Sequence, residues 1–223
     1  LTNIPDPVLG WTPKEGKHKF KPWAKGGKET YLTINEDKSR FIGDINKNKN
    51  EIVFIGGSIT QGWAVSDDET FSFFYQKKNN NYKVYNFGVG GYGGYQSLLM
   101  LEKVFNEKNK IKLVIYGLIP HHEIRNTAAG SWMYLLNFFS KRGFVSLPYG
   151  SVDKNKNLIK NKPIEYITLP LGKVSSLVAK IEKRIMKVRS LFREKKQTEI
   201  SLAIINEMNK LSLKNNSKFV LLI

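Results

Sequence analysis

The sequence predicts an α/β fold in which a doubly wound parallel sheet carries helices on both faces, giving three layers. Apolar, β-favouring stretches at residues 52–55, 82–87 and 112–118 are predicted to be strands. A glycine-rich turn and then a helix-length segment follow each of the first two. Strands that alternate with helices at this spacing are typical of a parallel sheet.

Length and composition set the class of protein. A chain of 223 residues with 41% hydrophobic residues can form one domain with a sizeable core. No apolar run approaches the roughly 18 residues that a transmembrane helix needs. The sequence has no cysteine, which excludes disulfides, thiol nucleophiles and zinc–thiolate sites.

The net charge of +17 raises the question of an anionic partner. Much of the excess lies in Lys/Asn tracts at residues 46–50, 77–81 and 154–157, which are predicted to be solvated loops. No zinc-finger, RNP or helix-turn-helix signature accompanies them. We therefore do not expect a nucleic-acid partner, and keep an acidic glycan or a lipid headgroup as the secondary alternative.

Residues 1–45 are predicted to form an N-terminal β extension packed on the main domain, residues 46–223. Within it, residues 6–11 form a turn followed by an aromatic anchor, Trp11. Residues 29–35 alternate apolar and polar side chains, the period of a strand.

The central stretch is Glu-Ile-Val-Phe-Ile-Gly-Gly-Ser-Ile-Thr-Gln-Gly at residues 51–62. Gly56 and Gly57 allow a sharp turn after the strand. Ser58 then lies at the carboxyl end of that strand, where open α/β sheets place their ligand sites. A tight turn of this kind exposes the nucleophile of other serine hydrolases. On these residues alone, an ordinary Gly-Gly-Ser loop remains the alternative.

The second glycine-rich turn is Gly-Val-Gly-Gly-Tyr-Gly at residues 88–93. It satisfies G-x-G-x-x-G between a strand and a helix, which is the dinucleotide-binding fingerprint. However, the next strand ends without Asp or Glu, and the motif stands in the second βα turn rather than the first. Dinucleotide binding is therefore the weaker interpretation.

The segments around these turns are predicted to be helices. Residues 71–78 carry an aromatic face of Phe71, Phe74 and Tyr75, which we expect in the core. Residues 96–107 have the apolar spacing of an amphipathic helix with its apolar face turned inward.

The second half of the chain adds further elements. Residues 131–144 are aromatic and are predicted to be a core helix, with a lid as the alternative. Residues 144–171 are predicted to be an inserted β hairpin, and residues 199–213 a helix. Residues 218–223 are predicted to be a strand at which the sequence stops, so we expect a C-terminally truncated domain.

Residues 175–198 form a long, strongly basic helical stretch with one apolar stripe: Leu177, Ile181, Ile185, Val188 and Phe192. We expect this stripe to pack on its own domain. Because basic amphipathic helices also bind membrane surfaces, contact of helix 175–198 with a membrane is the alternative.

The two glycine-rich blocks together resemble those of the SGNH (GDSL-type) hydrolase family, whose fold is flavodoxin-like. Gly-Gly-Ser-Ile-Thr is similar to the family's Gly-Asp-Ser block, with Gly57 where the aspartate usually stands. Asn-Phe-Gly-Val-Gly-Gly at residues 86–91 is similar to its second block. The resemblance implies that Ser58 is the nucleophile and that the backbone N–H groups of Ser58 and Gly91 are oxyanion donors.

The third family block is different here. The family usually has Gly-x-Asn after the third strand, whereas this chain has Gly-Leu-Ile-Pro at residues 117–120, followed by His-His-Glu-Ile-Arg-Asn. Asn126 or His122 could supply the missing oxyanion donor, and Arg125 could hold an anionic or carbonyl group of the substrate. The alternative is that His121 and His122 are ordinary loop or helix-capping residues.

The general base is absent from the expected place. In the family the general base belongs to an Asp-x-x-His motif near the C-terminus. This sequence contains no Asp-x-x-His motif, and it has no histidine after residue 126. We expect the dyad beyond Ile223, which would make these residues catalytically incomplete. A weaker account uses His121 or His122 as the base.

The resemblance implies a serine esterase that hydrolyses acetyl-type O-acyl esters without metal or organic cofactor. Its partner would be an acylated small molecule or a glycan. The Leu-Gly-Trp opening resembles SGNH proteins linked to surface polysaccharides, which favours a carbohydrate substrate and a cell-envelope or periplasmic location over the cytoplasm. The alternatives are an O-acyltransferase with the same serine and a noncatalytic glycan-binding domain.

Overall fold

The computed structural model of the chain describes residues 2–21, 25–43, 49–140 and 145–223. The strands are β1 (Asn3–Asp6), β2 (Gly10–Pro13), β3 (Gly16–Phe20), β4 (Thr30–Ile34), β5 (Asn50–Gly56), β6 (Tyr82–Gly88), β7 (Ile111–Gly117), β8 (Ser146–Val152), β9 (Leu158–Glu165) and β10 (Lys218–Leu222). The helices are α1 (Ser58–Gln61), α2 (Phe71–Lys78), α3 (Gly94–Glu107), α4 (His122–Asn126), α5 (Gly130–Phe139), α6 (Ser176–Glu194) and α7 (Gln197–Lys214), with a 3-10 turn at Asp67–Glu69.

Four parallel strands form the central sheet in the order β10-β7-β5-β6. Its strands are apolar on both sides, because helices cover both faces. On one face, Ile55 and Val114 pack with Leu101 of α3 and Ile204 of α7. On the other face, Phe54 packs against the rings of α2. The predicted doubly wound parallel sheet is confirmed.

The carboxyl ends of β5, β6 and β7 are three adjacent glycines, Gly56, Gly88 and Gly117. Helix α1 lies directly on them. A Cβ added to Gly56 or to Gly117 would stand less than 2.5 Å from the Thr60 hydroxyl oxygen, and one on Gly88 would stand 2.4 Å from the Gln61 nitrogen. Glycine at the end of each strand therefore lets α1 sit against the sheet edge.

The N-terminal hairpins attach at two places: β3–β4 bonds to Ser66 and Asp67 in the loop after α1, and the segment of β1–β2 bonds to the second glycine-rich turn and the start of α3. The Trp11 indole N–H donates to the carbonyl of Gly90 (3.2 Å), and the Tyr92 hydroxyl donates to the carbonyl of Trp11 (2.5 Å). The Gln96 amide donates to the carbonyl of Leu9 (2.7 Å). Residues 22–24 and 44–48 of the predicted extension lie outside the described residues.

Strands β8 and β9 form an antiparallel hairpin around the polar turn at residues 153–157. The Asp153 carboxylate accepts the N–H groups of Asn155 and Asn157 (both 2.8 Å). Gly150 of β8 packs on Ile200 and Ile204, so the hairpin lies against α7. Residue 144, where the predicted hairpin begins, and residues 141–143 of the predicted helix lie outside the described residues.

Helix α3 packs as predicted, with its apolar face buried, whereas α2 does not. Phe71 and Phe74 of α2 are 40% and 50% exposed, and Ser72 and Gln76 are buried instead. Ser72 accepts a hydrogen bond from the Asn86 amide (2.9 Å), and Gln76 accepts one from the Val84 N–H (2.7 Å). The predicted aromatic core face is therefore limited to Tyr75, which is partly buried against Phe54, and it was wrong for Phe71 and Phe74 because the polar side chains that bond to β6 occupy the buried side.

The prediction that the apolar stripe of α6 packs on its own domain was also wrong. Most of the stripe is exposed, and the opposite side is buried through Glu182, Met186 and Ser190. Glu182 accepts the N–H of Leu169 (2.7 Å), and the Ser190 hydroxyl accepts the N–H of Gly130 (2.9 Å). Hydrogen bonds to neighbouring segments therefore decide the orientation of α6.

Helix α5 is partly a core helix, as predicted, and partly a wall of the cavity described below. Met133 is buried, while Phe138 and Phe139 are exposed. Gly130 allows α5 to approach α6, since a Cβ there would stand 2.7 Å from the Lys187 nitrogen. Among the described helices, none combines the length and apolarity that crossing a membrane requires.

Candidate active site

Ser58 is the first residue of α1, immediately after the turn at Gly57. Its hydroxyl makes no hydrogen bond within the described part of the chain. It opens into a cavity of about 380 Å³. The cavity is lined by Thr2, Asn3, Phe20, Leu32, Ser58, Gln61, Trp63, Gly90, Gly91, Arg125 and Trp132. The structure therefore brings the predicted nucleophile and the predicted oxyanion glycine to one cavity.

Gly91 has a positive φ of 85°, a conformation that glycine adopts without strain. A Cβ at this position would also stand 3.0 Å from the Trp11 ring. Within the described residues, nothing accepts a hydrogen bond from the Gly91 N–H. The neighbouring Gly90 N–H is bound by the Gln61 side chain (3.0 Å), which links the two glycine-rich turns.

Arg40 fixes the loop that follows α1, and it was missed by the sequence analysis. Its buried guanidinium donates to the carbonyls of Gln61 (2.7 Å), Gly62 and Val65 (2.7 Å), and forms an ion pair with Asp67 (3.2 Å). Burial lowers the pKa of this guanidinium, while the Asp67 carboxylate raises it. No motif marks Arg40, because its partners are backbone groups distant in sequence.

His122 is fully buried beside the nucleophile turn. Its Nδ1 lies 2.7 Å from the Tyr116 hydroxyl, and its Nε2 has no hydrogen-bond partner among the described residues. Burial lowers the pKa of His122 to about 3, with a further contribution from Arg125, and burial raises the pKa of Tyr116 well above its usual value. Since Tyr116 keeps its proton, its hydroxyl can donate to Nδ1, and this pairing corresponds to the neutral imidazole with its proton on Nε2.

The position of His122 explains why residue 57 is glycine. A Cβ on Gly57 would stand 2.7 Å from His122 Nε2 and 3.1 Å from the carbonyl oxygen of Tyr92. The φ of −90° at Gly57 is open to any residue, so the restriction is steric. The aspartate that the SGNH family usually has at this position would not fit beside His122.

Arg125 lies at the wall of the cavity. Its Nη1 donates to the carbonyl of Tyr92 (2.9 Å), and its guanidinium stacks on the Trp132 ring at 4.6 Å. Within the described residues it has no acidic partner, and its Nε has no hydrogen-bond partner. Burial lowers the pKa of Arg125. The cavity therefore contains a cation that no carboxylate of the described chain neutralises.

Asn126 and His121 are not brought to the cavity. The Asn126 amide is buried and doubly bonded: its oxygen accepts the Tyr95 N–H (2.9 Å) and its nitrogen donates to the Ser201 hydroxyl (2.9 Å). His121 is exposed at the start of α4. We therefore do not retain Asn126 as an oxyanion donor, since its contacts tie α3 to α7.

Two walls of the cavity were not part of the predicted site, although a lid was the alternative for residues 131–144. Thr2, Asn3, Phe20 and Leu32 belong to the N-terminal hairpins. Trp63 and Trp132 supply large aromatic surfaces. The Leu-Gly-Trp opening and the aromatic run at residues 131–144 were the available signals, but neither shows which side of the sheet it covers.

No group of three or more potential metal ligands occurs among the described residues.

Comparisons with known proteins find a distant similarity. No family model matches the chain, and no curated protein matches it. Among solved structures it is similar to AlinE4, described as a SGNH-hydrolase family esterase, with 16% identity, 78% of this chain and 77% of that chain covered and a TM-score of 0.35. Two alanine-substituted mutants of the same esterase match at 16% identity with TM-scores of 0.35 and 0.34. Similarity at this level is not an argument for an activity.

Proposed function

We propose that the chain is the nucleophile-bearing domain of an SGNH-like serine esterase, which hydrolyses acetyl-type O-acyl esters of a carbohydrate through an acyl-Ser58 intermediate. The main support is the Ser58 hydroxyl, which bonds to no described residue and is held at the carboxyl edge of the sheet in a cavity that Gly91 borders. Open α/β sheets bind ligands at this edge.

In the proposed reaction, Ser58 Oγ attacks the ester carbonyl carbon while a base takes the hydroxyl proton. The negative charge that develops on the carbonyl oxygen accepts hydrogen bonds from the Ser58 and Gly91 N–H groups. The intermediate collapses to acyl-Ser58, and the alcohol leaves with the proton from the base. Water then attacks the acyl group by the same steps and regenerates Ser58.

Arg125 is the candidate for the donor that the third family block lacks. Its Nη1 would lie 3.3 Å from a Cβ placed on Gly57, so the guanidinium stands next to the nucleophile turn. Its stacking on Trp132 and its bond to Tyr92 hold the cation in place without neutralising it. A fixed, unneutralised charge at this point would stabilise a developing oxyanion or hold an anionic group of the substrate.

A carbohydrate ester fits the walls of the cavity. Trp63 and Trp132 offer flat apolar surfaces, and Arg125 and Gln61 add polar groups close to Ser58. Binding sites commonly combine apolar and aromatic walls with a few polar groups that fix orientation.

The general base would come from outside the described residues. Burial holds His122 neutral, with a pKa of about 3, and its Nδ1 is occupied by Tyr116. An imidazole with such a low pKa is a weak base at neutral pH. We therefore propose that His122 positions the nucleophile turn, and that neither His122 nor the exposed His121 takes the proton of Ser58.

The test is labelling of the protein in its full natural length with a fluorophosphonate, followed by peptide mapping. We expect label on Ser58, loss of label in Ser58→Ala, and normal label in Ser176→Ala, which removes an exposed hydroxyl outside the cavity. A folded full-length protein that takes no label would contradict the esterase proposal.

Two alternatives have specific support. An O-acyltransferase would use the same acyl-Ser58, and the apolar walls of the cavity would favour a sugar hydroxyl over water as the acceptor. A noncatalytic glycan-binding domain is favoured by the lack of a base beside Ser58 among the described residues. Measuring the release of acetate and the transfer of acetyl to an added glycan distinguishes the esterase from the acyltransferase. Absence of the fluorophosphonate label together with retained glycan binding would support the glycan-binding domain.

A further inference from the structure

An exposed apolar surface outside the cavity lies along α6. Its outer face consists of Leu177, Ile181, Val188 and Phe192, which are 67%, 45%, 57% and 86% exposed. Leu171 and Val174, just before the helix, are exposed as well. No described segment of the chain covers this face.

The orientation of α6 is fixed from the opposite side. Met186 is buried, Glu182 binds the Leu169 N–H, and Ser190 binds the Gly130 N–H. Turning the outer face inward would break these hydrogen bonds and expose a buried methionine. The exposure of the outer face is therefore a stable property of the fold.

Basic side chains border the outer face. Lys180, Lys183 and Lys187 follow one flank at helical spacing, and Arg184 lies between them and the apolar residues. All four are exposed. The two carboxylates of the helix do not offset them: Glu182 is buried, and Glu194 is bonded to Ser190 and to the Gly130 N–H.

Helix α5 packs beside α6. Gly130 packs at Lys187, and the Lys183 ammonium lies 5.0 Å above the Tyr134 ring, so α5 runs antiparallel to α6. The last residues of α5 therefore reach the level of the first turns of α6. There Phe138 and Phe139 expose two rings in edge-to-face contact.

We propose that the outer face of α6 docks on an anionic lipid surface. An exposed apolar stripe with a phenylalanine, bordered by lysines and arginine, is the pattern of helices that lie in the plane of a membrane interface. A second copy of the chain fits less well, because two such faces would bring two rows of lysines together in a protein of net charge +17. A nucleic acid would use the lysines but not the apolar stripe. The proposal is independent of the activity of Ser58.

The test is flotation of the purified protein with vesicles of phosphatidylcholine mixed with phosphatidylglycerol, against vesicles of phosphatidylcholine alone. We expect binding to the anionic vesicles only. Lys180→Glu with Lys187→Glu should weaken it by about 25-fold or more, because each lysine near such a surface contributes about fivefold. Lys210→Glu with Lys214→Glu, the same charge change on α7, should have a much smaller effect.

A matched leucine pair tests the apolar part. Leu177→Ser on the outer face and Leu213→Ser on α7 remove side chains of similar exposure, 67% and 62%. We expect the first to weaken vesicle binding by roughly tenfold and the second to leave it unchanged.

Three outcomes would overturn the proposal. The first is no binding to anionic vesicles at low salt. The second is a dimer in sedimentation that Leu177→Ser dissociates, which would show that a second copy covers the face. The third is vesicle binding that the lysine variants abolish and Leu177→Ser leaves intact, which would show a general polyanion site.

Discussion

The sheet edge around Ser58 and the outer face of α6 differ in how many contacts with other segments of the chain hold their side chains in place. At the sheet edge, glycines at three strand ends receive α1, Arg40 bonds to the loop behind it, and His122 fills the space beside Gly57. On the outer face of α6, apolar side chains project away from the domain. A preorganised edge suits a catalytic site, whereas an uncovered face suits a partner that arrives from outside.

Replacement of the buried arginine should give the largest difference between the two regions. Arg40→Leu would leave the Asp67 carboxylate and several buried carbonyls without their donor. We expect the free energy of unfolding to fall by about 3–5 kcal/mol, as measured by urea denaturation. Arg184→Leu at the outer face should change it by less than about 0.5 kcal/mol. Equal effects would show that Arg40 does not hold the edge.

Two leucine truncations compare α3 with α6 directly. Leu101→Ala removes a fully buried side chain and should cost about 2–5 kcal/mol in thermal or urea unfolding. Leu177→Ala removes a mostly exposed one and should cost less than about 0.5 kcal/mol. A large loss for Leu177→Ala would mean that part of this chain covers the outer face.

His122 should make the stability of the edge depend on pH. Its pKa is lowered to about 3 in the folded protein, whereas an unfolded histidine titrates near 6.5. Between these values the unfolded chain binds the extra proton, so stability is fully present above about pH 6.5 and falls as the pH drops toward 3. The slope from this group is up to about 1.4 kcal/mol per pH unit.

The check combines denaturation at several pH values with nitrogen NMR of the imidazole. His122→Phe should flatten the slope in this window. The wild-type ring should stay neutral, with its proton on Nε2, down to about pH 4. A ring that becomes charged near pH 6 would show that His122 is solvated in solution.

Changing the contact between residues 57 and 122 should give the smallest of these changes in the free energy of unfolding. Gly57→Ala places a Cβ 2.7 Å from His122 Nε2 and should lower stability by about 1 kcal/mol. In the His122→Ala background the same change should cost much less, because the ring has been removed. A double-mutant cycle measures this coupling. Additive effects would contradict the steric account of Gly57.

The sequence by itself was sufficient for the sheet and for its glycine-rich edge. Continuous apolar strands imply burial on both faces, and glycine after a strand implies a close approach of backbone, so these local signals place Ser58 at the carboxyl edge of the sheet. Gly91 was assigned to the same site through the resemblance to the SGNH family. The apolar face of α3 was predicted correctly because its apolar spacing is also a local signal, although Gln96 at the start of this helix is buried too and donates to the distant carbonyl of Leu9.

Only the tertiary structure decided which sides of α2 and α6 are buried, and which residues hold the edge together. Ser72, Gln76, Glu182 and Ser190 face inward because each satisfies a backbone or side-chain group of a neighbouring segment, and an unsatisfied buried polar group is costly. Arg40 is placed in the same way, by carbonyls more than 20 residues away. Such pairings have no periodicity along the chain, so the hydrophobic pattern could not reveal them.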